Sequence, residues 1–405
     1  MLPVVFPCID DGQRRARLGR RHRLTAAERT DDVVVIADSV VALHSSDPVS
    51  VYLSTAARMH TPDLAAVDAA LYDDHSLIRH HAMRRTLWVM SAPVLAAAHG
   101  ACTTALVPGE WKRSIRMVEA AGLADDGARW LLEAKRDVLA ALHRRGEATA
   151  RQLGSDVPEL ARPLYPDAGP GTTGRTAAHT RVLLLLGFDG AIVRGRPVGS
   201  WINGQYRWAA MDSVLPDGLA QLAADPAAAR TELVSRLLYA FGPVSTADLS
   251  WWLGSGLGVV RTALVSVGAV AVQTDDGPGW LRPDDLEPVA EPAPWVALLP
   301  GLDPTTMGWK QRSFFLVPEM VSQLFDRNGN AGPTIWVDGR VVGGWGQRGD
   351  GEIVTKLLTA VAEPASDAIA EAAARVQNLL GEYRFSVRFP SPLSTELCNR
   401  HSGGR

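Results

Sequence analysis

The chain has 405 residues, enough for two to four domains and a large buried core. Apolar residues make up 46% and charged residues 21%, the balance of a soluble globular protein, and no apolar run nears the roughly 18 residues that span a bilayer. The net charge of −3 excludes a polyanion binder of uniformly basic character, although all but Lys112, Lys135, Lys310 and Lys356 of the 41 basic residues are arginines. GC-rich codon usage explains most of that bias. Arginine still suits phosphate contact, and the shortage of lysine weighs against Schiff-base chemistry.

Met1 to Cys8 is apolar, but it is too short and lacks the basic leader of a signal peptide. Cys8, Cys102 and Cys398 are far apart, which suggests neither a disulfide framework nor a zinc site and makes a cytoplasmic location the expectation. Residues 1–23 form a basic extension with Arg14, Arg15, Arg17, Arg20, Arg21 and Arg23. It reads equally as a flexible arm on DNA phosphate or as a disordered leader without a role.

Residues 24–123 read as a first domain, with helices over 32–43, 49–59 and 63–71. Between the first two lies Leu43-His44-Ser45-Ser46-Asp47-Pro48. Pro48 cannot continue a helix but suits the first position of a new one, and Asp47 is a natural N-cap. His44, Ser46 and Asp47 are thus expected at a helix–helix corner facing a cleft. His44 there is also what a helix dipole favours at a C-terminus, and Ser46 and Asp47 are also ordinary caps. His75, Arg79, His80, His81, Arg84 and Arg85 follow within eleven residues, ahead of the β-prone stretch from Thr86 to Met90. This cluster reads as a metal site, a solvated basic face or a DNA-facing surface; the spacing disfavours metal, and the DNA-facing surface is preferred.

Residues 124–212 form a second unit: a helix over 126–145, a Pro/Gly-rich connection over 163–174, a helix over 176–186 and a β-hairpin over 191–208. The same grammar recurs over 226–290, with helices at 232–240, around 246–253 and at 259–267, then strands at 269–272 and 279–282. Helix, Gly-containing turn, helix, helix and hairpin is the winged helix-turn-helix plan, and its repetition argues for tandem copies. Residues 291–395 read as a small antiparallel β-rich domain. Its strands are expected at 295–299, 314–317, 334–337, 340–346, 353–358 and 384–389, with one helix at 367–380 and a frayed tail after Leu393. The fold class is therefore α+β: three tandem winged-helix domains followed by that β-rich domain.

Several stretches together resemble the AlkZ-type winged-helix DNA glycosylases, which excise bulky or crosslinked alkylated bases. They are the Leu43–Pro48 elbow, Met83-Arg84-Arg85-Thr86-Leu87-Trp88, and the runs 247–254, 299–309 and 333–343. The resemblance covers nearly the whole chain after residue 24. It departs from the family at the elbow, where the best-known members carry Gln-x-Gln or Gln-x-Asp before Asp-Pro and this chain carries His44-x-Ser46. That departure implies a subfamily with different chemistry or adduct, or a silent catalyst that still binds DNA.

The resemblance implies a monofunctional glycosylase acting on N7-alkylguanine-type adducts in double-stranded DNA, with self-resistance to an alkylating natural product as a role. No cofactor, metal or membrane is called for, and nothing demands a dimer. A base alkylated at N7 or N3 is already cationic and leaves without an acid. The enzyme then needs a positioned water and electrostatic help. His44 is expected to orient or deprotonate that water, Ser46 to hold it, and Asp47 to orient His44 or face the sugar's positive charge. Bulky adducts favour attack from the groove over a flipped-base pocket. Arg84, Arg85, Lys310 and Arg312 are expected on phosphate, and the region from Arg340 to Arg348, with Trp345, in a groove. Trp309 is balanced between surface and DNA contact, Trp251-Trp252 reads as core and Asp303 as structural. The rival readings are a regulator or lesion binder without catalysis, and a helical scaffold.

Overall fold

The computed structural model describes residues 7–164, 176–219 and 225–399. The fold is mixed α+β, with helices packed around several small sheets. Strand β1 (Cys8–Ile9) and helix α1 (Asp11–Arg21) come first. Next are α2 (Val33–Ser39), β2 (Leu43–His44), α3 (Pro48–Ala56), α4 (Leu64–Tyr72), β3 (Leu77–His81) and β4 (Leu87–Ser91). The three strands form an antiparallel sheet in the order β2-β4-β3.

A long helix, Gly127–Arg145, opens the next unit, whose strands are β5 (Glu147–Thr149), β6 (Pro163–Leu164), β7 (Thr176–Ala177), β8 (Ile192–Pro197) and β9 (Tyr206–Ala210). Of these, β5, β9 and β8 make one sheet, and helix Ala178–Phe188 packs beside it. The expected 163–174 connection lies largely outside the described residues. Helices Pro226–Phe241, Thr246–Leu253 and Leu257–Val267 then lead into the hairpin β10 (Val270–Thr274) and β11 (Gly277–Leu281), close to the expected pattern. The last unit holds β12 (Val296–Leu299), β13 (Thr334–Val337), β14 (Arg340–Gln347) and β15 (Ile353–Leu357), paired antiparallel in chain order. These units are not separate beads. One apolar cluster runs from Leu18 through Trp88, Phe241 and Trp309 to Leu397, so it takes side chains from most of the chain.

Several sequence expectations change. The first helix stops at Ser39, and Val41 takes φ +65°, so the elbow is a strand-to-helix bend and not a helix–helix corner. Burial of Leu43 and pairing with β4 outcompete helix continuation in a β-branched run. Residues 314–316 are a buried turn in which Phe315 N and Leu316 N donate to Arg312 O, and Val317 beyond it is exposed. A short apolar run cannot by itself distinguish a strand from such a turn. Residues 384–389 form no ladder, and Phe385 N donates to the Gln347 side chain. The tail is helical over Pro392–Asn399, anchored by buried Leu393 and Leu397.

The basic extension is no loose arm over its described part. Arg17, 1% exposed, donates to Asp285 Oδ1 at 3.0 Å and to Glu287 O at 2.6 Å, and Arg14 pairs with Asp276 at 2.6 Å. These arginines therefore fasten α1 to the β10–β11 unit. Gly339, at φ +79° in the turn between β13 and β14, would place a Cβ 2.6 Å from Arg15 Cβ, so α1 also closes over that turn.

Candidate active site

The elbow is held by the C-terminal part of the chain. Within it, Asp47 Oδ1 caps α3 by accepting from Val49 N at 3.1 Å, and Pro48 occupies the first turn. Its other oxygen accepts from Arg388 N at 3.1 Å. Below the elbow, Ser50 Oγ donates to Gly301 O at 2.6 Å. Arg58 follows α3 and meets Asp303 with two 2.9 Å contacts, both side chains fully buried. These bonds bring the Leu43–Pro48 and 299–309 stretches together.

His44 is 5% exposed, packed edge-on against Trp88 with ring centroids 4.6 Å apart. Ser46 N donates to its Nδ1 at 3.4 Å, which places the ring proton on Nε2. Burial, and then the Arg84 charge, push its pKa down to about 3, so it is a neutral imidazole and a weak base. Asp47 is buried and its pKa is raised, chiefly by desolvation. No hydrogen bond joins it to His44, because its oxygens face Val49 and Arg388; the expected Asp47–His44 orientation is not made. Ser46 is the half-exposed member of the three.

Arg84 and Arg85 sit in the β3–β4 turn with φ +54° and +63°, a conformation that costs non-glycine residues energy. Backbone bonds Arg85 N to Ala82 O and Thr86 N to Met83 O hold the turn. The Arg84 guanidinium lies 4.1 Å from the Trp251 ring centre, and a Cβ on Gly254 would be 3.3 Å from Arg84 Cγ. Arg312 lies over Phe325 at 4.5 Å and near Trp251 at 6.0 Å, its pKa lowered to about 10 by burial, against the pull of Asp248. Asp248 in turn accepts from Lys310 N at 2.8 Å, and the Lys310 side chain is exposed. Thus Arg84, Trp251 and Arg312 form one stack next to the elbow.

Other expected contacts do not survive. Trp309 and Trp345 are 2% and 1% exposed, and their indole N–H groups donate to Phe241 O and Leu299 O. Both are core, because a large apolar ring with an internal acceptor gains by burial, and neither can meet DNA in this arrangement. The proposed groove hairpin is a buried central strand apart from exposed Arg340, and Arg348 is engaged by Glu352. Arg85 stays exposed and pairs with Glu110 at 2.5 Å. The histidine cluster disperses: buried His80 bonds His99 at 3.0 Å, and partly buried His81 packs at a tilt against Phe188. Among the described residues no group of three His, Cys, Asp or Glu is placed to hold a metal ion. Sequence reasoning missed Arg388 altogether, since nothing local marks a residue 341 positions from its partner.

The structure superposes on the DNA glycosylase AlkZ of Streptomyces sahachiroi with a TM-score of 0.68 at 20% identity. The match covers 93% of this chain and 98% of that one, which establishes a shared fold. The family model for AlkZ-like DNA glycosylases matches residues 37–379, most of the chain. The chain belongs to the AlkZ-like DNA glycosylase family. It is accordingly a hydrolase of N-glycosyl bonds whose substrate is DNA. No curated protein matches it. No helix among the described residues is long and apolar enough to cross a membrane. The matched span includes the elbow, where this chain carries His44 and Ser46.

Proposed function

We propose that this chain is a monofunctional glycosylase that hydrolyses the N-glycosidic bond of bulky N7-alkylguanine-type nucleotides in duplex DNA, with the elbow as its reaction centre. The observation that carries this is the grouping of neutral His44, half-exposed Ser46 and the buried Asp47 carboxylate at one bend. Such a grouping supplies what a cationic leaving base requires. Asp47 provides negative charge opposite the oxocarbenium-like sugar and accepts the proton of the attacking water. Ser46 Oγ orients that water. His44, too weak a base to take the proton, fixes the elbow backbone through Ser46 N and offers Nε2–H as a donor. The four lysines all lie outside the elbow, which favours hydrolysis over lyase chemistry.

Arg84 and Arg312, with the exposed Lys310, take phosphates beside the lesion. The tandem winged-helix reading supplies the concave duplex-binding face, and protection against a DNA-alkylating natural product is the physiological role. The burial of His44 favours a second reading, a DNA binder without catalysis. Incubation with N7-alkylated duplex, followed by alkali, separates them. Strand breaks from the native chain and none from Asp47→Asn support the glycosylase; tight binding with no breaks from either selects the second reading.

A further inference from the structure

A second group of arginines meets the elbow through different residues. Arg79, on β3, donates from Nε to Ser45 Oγ at 2.6 Å and from Nη1 to Tyr72 OH at 2.7 Å. Its Nη2 is buried without a partner, and its guanidinium lies 4.5 Å from the Tyr206 ring centre. The Tyr206 hydroxyl is likewise buried and unpartnered. Arg194, on β8, lies 4.7 Å from the Trp208 ring centre and 5.9 Å from that of Tyr206. Arg388, whose backbone holds Asp47, reaches Gly204, where a Cβ would lie 3.4 Å from its Nη1.

Among the described residues none of the three guanidiniums forms an ion pair, whereas Arg17, Arg58 and Arg181 elsewhere in the interior all do. Burial first, then Arg79 and Arg388, push the Arg194 pKa down to about 10 while Tyr206 opposes them. Arg79 is buried, Arg194 is partly buried and Arg388 is exposed beside them. Holding Arg79 and Arg194 together without a carboxylate destabilises the fold, so the arrangement has a use other than stability. Arg194 and Tyr206 both line an open cleft.

We propose that Arg194, Arg388 and the Tyr206 hydroxyl, backed by Arg79, form an anion site that receives a phosphodiester group of the strand held at the elbow. The proposal rests on the glycosylase reading for the identity of that strand. Guanidinium forks and a phenol fit the tetrahedral oxyanion, and one negative charge relieves the repulsion among the three cations. The position follows from the covalent chain: Ser45 and Asp47 flank Ser46, and each is bonded to a member of the cluster. A phosphate seated here fixes the nucleotide against the elbow, while Arg84 and Arg312 act on the other contact. Arg194, Arg388 and Tyr206 are binding residues, and Arg79 is a positioning residue acting through Ser45.

The test is binding of an undamaged duplex oligonucleotide across a salt series, for the native chain, Arg194→Gln, Arg388→Gln, Arg388→Lys and Tyr206→Phe. Each lost phosphate contact flattens the slope of log affinity against log salt by about 0.9. Both Gln variants are expected to show that change and to bind about threefold to tenfold more weakly at physiological salt. Arg388→Lys is expected to keep the slope, and Tyr206→Phe to lose about twofold in affinity without altering it. Arg194→Gln is also expected to leave the Tm unchanged or raise it. A lowered Tm with the native slope would mean that Arg194 only braces Trp208, and the proposal fails. Native slopes in both Gln variants overturn it as well. Base release is measured separately on alkylated duplex. Flattened slopes without base release sink the glycosylase reading alone; native slopes with base release sink the anion site alone.

Discussion

Asp47 Oδ2 accepts a hydrogen bond from the backbone N–H of Arg388, 341 residues further along the chain, at 3.1 Å. The carboxylate that caps α3 from within the elbow is therefore held in place by the C-terminal unit. That leaves Asp47 buried, with its pKa raised, yet still an acceptor with lone pairs to spare.

Replacing Asp47 by Asn keeps the cap, because Asn Oδ1 also accepts from Val49 N, but removes the charge and the acceptor for Arg388 N. Single-turnover base release is expected to fall by about 10²-fold or more, with duplex affinity within about twofold of native. A loss of under about threefold in release would remove Asp47 from the chemistry. His44→Gln is expected to retain more activity than Asp47→Asn, since orientation asks only for a hydrogen-bonding group.

Acid should unfold the protein through its buried imidazoles. Burial lowers the pKa of His22, His44 and His81 to about 3 and that of His99 to about 4. The unfolded chain therefore binds more protons than the native one between those values and about 6.5, and stability is lost as pH falls through that window. Each such group contributes a slope of about 1.4 kcal/mol per pH unit. The urea midpoint is expected to drop steeply from pH 7 to pH 5. A flat profile over that range would show that the imidazoles are hydrated.

The Arg58–Asp303 pair is fully buried and bidentate, and Asp303 Oδ1 also accepts from Thr305 N at 2.8 Å. Asp303→Ala strands the guanidinium and is expected to cost about 3–5 kcal/mol in urea denaturation. Changing Arg58→Met and Asp303→Leu together should cost clearly less, because no charge is left unpaired. Equal losses in the single and double variants would contradict that account.

Arg17 serves the fold and not the ligand. Arg17→Ala breaks the contacts with Asp285 and Glu287 that tie the middle of α1 to that segment. A loss of about 2–4 kcal/mol in stability is expected, with the salt slope of duplex binding unchanged. A slope reduced by about 0.9 at constant stability would restore the reading of residues 1–23 as a DNA-touching arm.

Local chemistry in the chain was enough to determine most helices, three hairpins and the cap at Asp47. Periodicity, Pro48 at a first turn and Asp338-Gly339 at a tight turn act over a few residues, and so they are written in the sequence. The order of several such stretches was enough to suggest the family. Tertiary structure decided which polar residues face one another. Trp309, Trp345 and the α1 arginines looked available because their partners lie far away in the chain, and packing buried them. Arg388 and Arg194 join the elbow's surroundings for the same reason: charges meet through space, and no sequence window spans the distance between them.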